Sequence, residues 1–179
     1  SSVLMSSGVL DADNSLTVRG TLTHTGNITI DVADTKTLTY LGTAISLGAN
    51  TITLSGGGSL VSGGLALNDA NSKLLLNSIT VDSVSTSADS LGLDVDNNST
   101  VTSLTVGHTT PVSIESGKSL SGTITVTAGS IKLGEAGTLA STISMSGGTL
   151  DVDKTSTISG ELTQSGAIEI DVDTDKTLT

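Results

Sequence analysis

The side chains able to do chemistry in this chain are few, and most are carboxylates. Aspartate pairs recur behind short apolar stretches: Asp11 and Asp13, Asp31 and Asp34, Asp94 and Asp96, Asp151 and Asp153, Asp171 and Asp173. Stacked at a strand spacing, such pairs would repel one another. Calcium, a hard cation that takes oxygen ligands, would relieve that repulsion. Turn formation with solvent and salt screening is the simpler role for the same residues. The nonapeptide calcium repeat G-G-x-G-x-D is absent. We therefore expect no resident cofactor and treat calcium as the one metal worth testing.

Thr-x-Thr pairs are the second feature: Thr21/Thr23, Thr37/Thr39, Thr51/Thr53, Thr100/Thr102, Thr123/Thr125 and Thr177/Thr179. A flat ladder of such pairs is the device of ice-binding solenoids. Here the pairs fall at different places in their repeat units, so we expect no single ladder and read them as outward-facing strand residues. Catalysis has little to work with. The chain holds one Arg (Arg19), one Tyr (Tyr40) and two His, His24 and His108. No Ser–His–Asp spacing stands out, and aromatic sugar platforms are missing. We expect no catalytic, cofactor-binding or metal-binding residues, and no enzyme.

These residues are carried on a strongly periodic chain. Internal repeats come first in such a reading, because missing them misassigns the fold. A short unit of about twenty residues is opened by Gly8, Gly26, Gly48, Gly92, Gly129, Gly148 and Gly166, with two more units opening near Asn71 and Pro111. Each unit starts with an apolar–x–apolar step, as in Ile28-Thr29-Ile30, Ile52-Thr53-Leu54 or Ile131-Lys132-Leu133. A second step follows, as in Leu16-Thr17-Val18 and Leu38-Thr39-Tyr40. A third closes the unit, as in Leu65-Ala66-Leu67 and Ile124-Thr125-Val126. Period-two alternation means strand with one apolar face. Gly, Asn, Asp and Ser mark the corners. No i, i+3, i+4 stripe persists for a helix.

The expected fold is all-β: a right-handed parallel β-helix, or β-solenoid, with about three short strands per roughly 20-residue coil. A β-sandwich would need longer strands and less even spacing. Nine coils would make a rod of roughly 43 Å. Residues 82–90, DSVSTSADS, are the widest departure from the pattern and predict a longer loop or a slack coil.

A longer period lies over the short one. Residues 1–39 align without gaps to residues 141–179, with 20 identities in 39 pairs, and the only two methionines, Met5 and Met145, coincide. The chain thus reads as one continuous solenoid over 1–179, with 1–140 one long repeat and 141–179 the start of a second copy. We expect the native polypeptide to continue in at least one direction.

Composition agrees. Among 179 residues there are 21 Gly and one Pro, with no Phe, Trp or Cys. Without large rings, Leu, Ile and Val must fill a narrow, uniform interior. The net charge of −11 with only seven basic residues argues against nucleic acid, which needs clustered Lys and Arg. No apolar run is long enough to cross a bilayer as a helix. The absence of Cys excludes disulfides.

The pattern G-x-[LI]-x-[LIV] followed by a polar corner, in blocks such as LGANTITLSGGGSL and SGAIEIDVDTDKTLT, resembles the repetitive β-helical regions of giant bacterial surface proteins. These are the filamentous-haemagglutinin-like adhesins and autotransporter passenger domains. The resemblance covers the whole chain and carries over no binding residues. It implies export, a cell-surface or extracellular location, and a stalk, adhesin or fibre role. The expected function is a structural segment of a long secreted protein that forms or sheaths an extracellular filament or appendage used in attachment. Homo-oligomers or bundles of filaments are the expected partners. The alternative is an adhesin module that contacts a glycan or a partner-cell surface directly.

Overall fold

The computed structural model describes residues 2–179. Among them there is no helix, and every registered strand pair is parallel. The chain winds coil upon coil. The first coil contributes β1 (Val3–Met5), β2 (Gly8–Ala12) and β3 (Leu16–Val18). The second contributes β4 (Leu22–His24), β5 (Ile28–Val32) and β6 (Thr37–Tyr40). The third contributes β7 (Ile45–Ser46), β8 (Thr51–Ser55) and β9 (Ser59–Val61). From there the strands are β10 (Leu65–Leu67), β11 (Lys73–Leu76), β12 (Thr80–Thr86), β13 (Gly92–Val95), β14 (Ser99–Val106), β15 (Thr110–Ile114), β16 (Ser119–Val126), β17 (Ser130–Leu133) and β18 (Thr138–Met145). The last coils hold β19 (Thr149–Val152), β20 (Thr157–Ile158), β21 (Leu162–Gln164) and β22 (Glu169–Val172).

Three faces result. The first is a nine-stranded sheet in the order β2-β5-β8-β11-β13-β15-β17-β19-β22. Its eight steps of about 4.8 Å give a rod of roughly 38 Å. The other two faces are made by an eleven-stranded sheet whose main path is β20-β18-β16-β14-β12-β9-β6-β3, and by a separate pair, β1-β4, at the N-terminal end of the third face. The expected three short strands per coil hold at both ends of the rod. In the middle, the second and third strands merge: β14, β16 and β18 are eight residues each and run around the corner without a break. The bend is made by a bulge between Val101 and Ser103. There the partner strand carries Gly122 at φ 134°, and a Cβ on Gly122 would stand 1.7 Å from the Val101 carbonyl. Only glycine fits a strand crossing that closely.

The interior is a set of aliphatic ladders. One runs Leu65, Val84, Leu104, Ile124, Ile143 and Leu162 along the third face. All but the last, on the end coil, are buried. The single aromatic residue, Tyr40, is buried at a corner. Its hydroxyl accepts a hydrogen bond from the Leu22 backbone N–H at 3.2 Å. Several buried hydroxyls are paired with backbone: Ser72 donates to Gly48 O at 2.6 Å, Ser141 to Leu120 O at 3.1 Å and Ser156 to Lys154 O at 2.8 Å, whereas the Ser90 hydroxyl has no partner among the described residues.

The coil length varies. Asp31 and Ser55, neighbours on adjacent coils, are 24 residues apart, whereas Lys132 and Asp151 are 19 apart. The corners absorb the difference. β15 also pairs out of step, with Val112 beside Leu93 on one side and Leu133 on the other. That slip is an even number of residues, so inside and outside are preserved. It buries Thr110 against Ile131.

The expected slack coil at 82–90 is not there. Residues 80–86 are strand, paired to β14 on one side and to β9 and β10 on the other. Val84 and Thr86 point inward at a period of two. The corner before them is closed by Asp82, whose carboxylate accepts from Ser62 N at 2.9 Å and Ser83 N at 2.8 Å. Serine-rich sequence looked like loop because its strand signal lies in two side chains.

Candidate functional surfaces

With the interior filled, any function must lie on the three outer faces, the corners or the ends. Outward positions near the ends of the first-face strands, and the corner just after them, carry the acidic residues. Asp11 and Asp31 are registered partners, and so are Asp151 and Asp171. They do not form one continuous column. Ser55 follows Asp31, Asn77 follows Ser55 and Asp96 follows Asn77, each linked by a backbone bond to the previous coil. Neutral residues thus divide the carboxylates into short groups.

The repulsion within each group is relieved by protein side chains. The Ser55 hydroxyl donates to Asp31. Lys73 pairs with Asp94 at 3.0 Å. Lys132 sits between two carboxylates, 2.8 Å from Asp151 and 2.9 Å from Asp153. Hydrogen bonds to Asp151 and Asp153 hold the Lys132 ammonium well above its ordinary range. The hydrogen bond from Lys132 holds the Asp153 carboxyl below its ordinary value. Farther along the rod, Asp94, Asp96, Glu115 and Glu135 line a shallow acidic groove. Among the described residues no three acidic or imidazole side chains converge as a metal cage.

The two histidines lie on different coils. The His24 ring nitrogens each face a backbone carbonyl, Nδ1 at 2.9 Å from Gly26 O and Nε2 at 2.9 Å from Ser46 O. His108 lies 3.8 Å from Asp89 on the neighbouring coil. Neither imidazole is hydrogen-bonded to a hydroxyl among the described residues. Arg19 is exposed near the N-terminal end.

The Thr-x-Thr pairs are dispersed as expected. Thr51/Thr53 lie on the first face, Thr37/Thr39 on the second and Thr123/Thr125 on the third. A ladder nevertheless exists once serine is admitted beside threonine. Ser83, Ser103, Thr123 and Thr142 are consecutive partners along the third face. Beside them run Ser46, Ala66, Ser85, Thr105, Thr125, Ser144 and Thr163. The two columns are about 6.6 Å apart, with about 4.8 Å between coils. No charged residue occurs in 83–87, 103–107, 123–127 or 142–146. In a chain of charge −11, this is a flat strip of hydroxyl and methyl groups with acid excluded. A search for Thr-x-Thr alone misses it, because five of its eleven members are Ser and one is Ala.

The two ends of the rod are the remaining surfaces. Leu4, Val9 and Leu16 are exposed at the first coil, and Leu162, Ile170 and Val172 at the last. Among the described residues no helix is long and apolar enough to cross a membrane. Compared with known proteins, the chain matches no family model, no curated protein and no solved structure.

Proposed function

We propose that this chain is a structural segment of a long, secreted, repetitive protein that forms or sheaths an extracellular filament or appendage used in attachment. The observation that carries this reading is the uninterrupted stacking of parallel coils, with no inserted loop or domain between the first strand and the last. Each coil buries its aliphatics only against its neighbours, so length and stability grow together. Backbone bonds from coil to coil run the length of the rod and resist its extension. The carboxylates at the corners keep rods soluble and apart. The uncharged hydroxyl strip on the third face is where two rods meet without bringing carboxylates together, which supports lateral bundling. The resemblance to the β-helical regions of bacterial surface adhesins points to the same role.

Electron microscopy of the native full-length protein tests this. Expected are rods or fibres outside the cell with an axial repeat near seven coils, about 34 Å. Isolated globular particles, or a label confined to the cell interior, would overturn it.

A further inference from the structure

The same surface occurs twice in this molecule, once covered and once bare. In the second coil, Leu22, Ile28, Ile30, Val32 and Leu38 are buried beneath the third coil. Their counterparts 140 residues later are Leu162, Ile168, Ile170, Val172 and Leu178, identical at all five positions. No further coil lies over these: Leu162, Ile170 and Val172 are exposed, and Ile168 and Leu178 are only half-buried, against the core beneath. Ile30 is 0% exposed and Ile170 46%; Val32 is 0% and Val172 38%; Leu22 is 4% and Leu162 36%.

The bare coil already holds the backbone of the covered one. Thr35 and Asp175 share φ 63°. The same corner bond closes both, Lys36 N to Ala33 O at 2.9 Å and Lys176 N to Asp173 O at 3.0 Å. Both corners are pinned to the preceding coil by a hydroxyl, Thr37 N to Ser15 Oγ and Thr177 N to Thr155 Oγ1. His24 Nδ1 meets Gly26 O at 2.9 Å, and Gln164 Nε2 donates to Gly166 O at 2.7 Å. Pairing to the coil beneath is also repeated: Leu10 with Ile30 and Leu150 with Ile170, Met5 with His24 and Met145 with Gln164.

What covers the first of these surfaces is specific. The third coil crosses the Val32–Ala33 corner through Gly56, Gly57 and Gly58. Gly56 and Gly57 have positive φ, and a Cβ on Gly58 would stand 2.5 Å from Ala33 O. Gly58 N donates to Val32 O at 2.9 Å, and Ser59 N to Lys36 O at 2.9 Å. No other coil in the chain carries three consecutive glycines.

We propose that the edge formed by residues 162–179 is a docking surface for a second copy of the coil at residues 41–61, so that the 140-residue block joins to its own repeat in register. The filament reading gives this joint its use, but the joint itself is tested on purified protein. Amide hydrogen exchange is compared among three chains: residues 1–179; the same chain continued from Thr179 by a copy of residues 40–179; and one continued by a copy of residues 62–179, which presents a coil without the glycine run. In the first, residues 162–179 should exchange fast and residues 22–39 slowly. In the second, residues 162–179 should slow by at least about tenfold, to the level of residues 22–39. In the third, the gain should be absent or much smaller. Fast exchange at 162–179 in the second chain overturns the proposal, whether or not 22–39 stays protected. Equal protection in the third chain overturns the specificity for the 41–61 coil. Success here with globular particles in microscopy would sink the filament reading alone.

Discussion

Single residues matter most where a narrow core leaves no room to adjust. Tyr40 fills a corner that Gly42 leaves open: a Cβ on Gly42 would lie 2.0 Å from the Tyr40 hydroxyl oxygen. Gly42→Ala should therefore cost about 1–3 kcal/mol by overpacking, read as a lower urea midpoint. Tyr40→Phe strands the Leu22 N–H, and about 1–2 kcal/mol should be lost in the same assay. Lys132 gives a pH-dependent counterpart. Asp153 is held below its ordinary 3.8, so its contribution is present above that value and is lost as pH falls through its folded value. Lys132 is raised above 10.5, so its contribution is present below that and is lost only in strong alkali. The groups are partly exposed and screened, which limits the effect to about 0.5 kcal/mol. Lys132→Met should lower stability by that amount near neutral pH, and the difference from the parent chain should vanish toward pH 2 in acid-titrated unfolding curves. A constant difference across that range would remove the ion pair as its cause.

Whole strands act through their neighbours on both sides. Ile30 has a coil above and below it; its twin Ile170 has one only. Ile30→Ala should cost about 3 kcal/mol through the cavity it leaves, and Ile170→Ala about 1 kcal/mol or less. Equal losses in thermal melts would mean that the end coil is covered in solution. Apolar–polar alternation made the strands of the first face legible from sequence alone, since each inward pair is bracketed by a turn. The merging of second and third strands was not legible. It depends on whether the corner between them pairs with the next coil, as Ser99–Val106 does with Ser119–Val126. No local signal in Thr102 or Gly122 announces that. The stretch at 82–90 shows the same limit, because two inward side chains are too few to mark a strand.

The described residues form one stack of coils with one uncharged flank. In a quasi-one-dimensional stack, opening begins where neighbours are missing. Hydrogen-exchange protection should therefore rise from both termini toward β12–β16; uniform protection would argue for a single cooperative unit. Association of rods should proceed through the hydroxyl strip and strengthen with salt, as carboxylate repulsion is screened. Thr105→Glu combined with Thr125→Glu should abolish that association in sedimentation experiments while leaving the fold intact, because both side chains point outward.

By itself the sequence determined the class of object: a parallel stack of roughly twenty-residue coils, aliphatic within, acidic at the corners and repeated after 140 residues. Those properties follow from alternation and self-similarity, which are local or countable. Only the tertiary structure decided which surface residues share a column. Coil length varies from 19 to 24 residues between partners, and the corners, not the strands, take up the difference. Register between coils is therefore a long-range property. It gathers Ser83, Ser103, Thr123 and Thr142 into one ladder and sets Lys132 between Asp151 and Asp153.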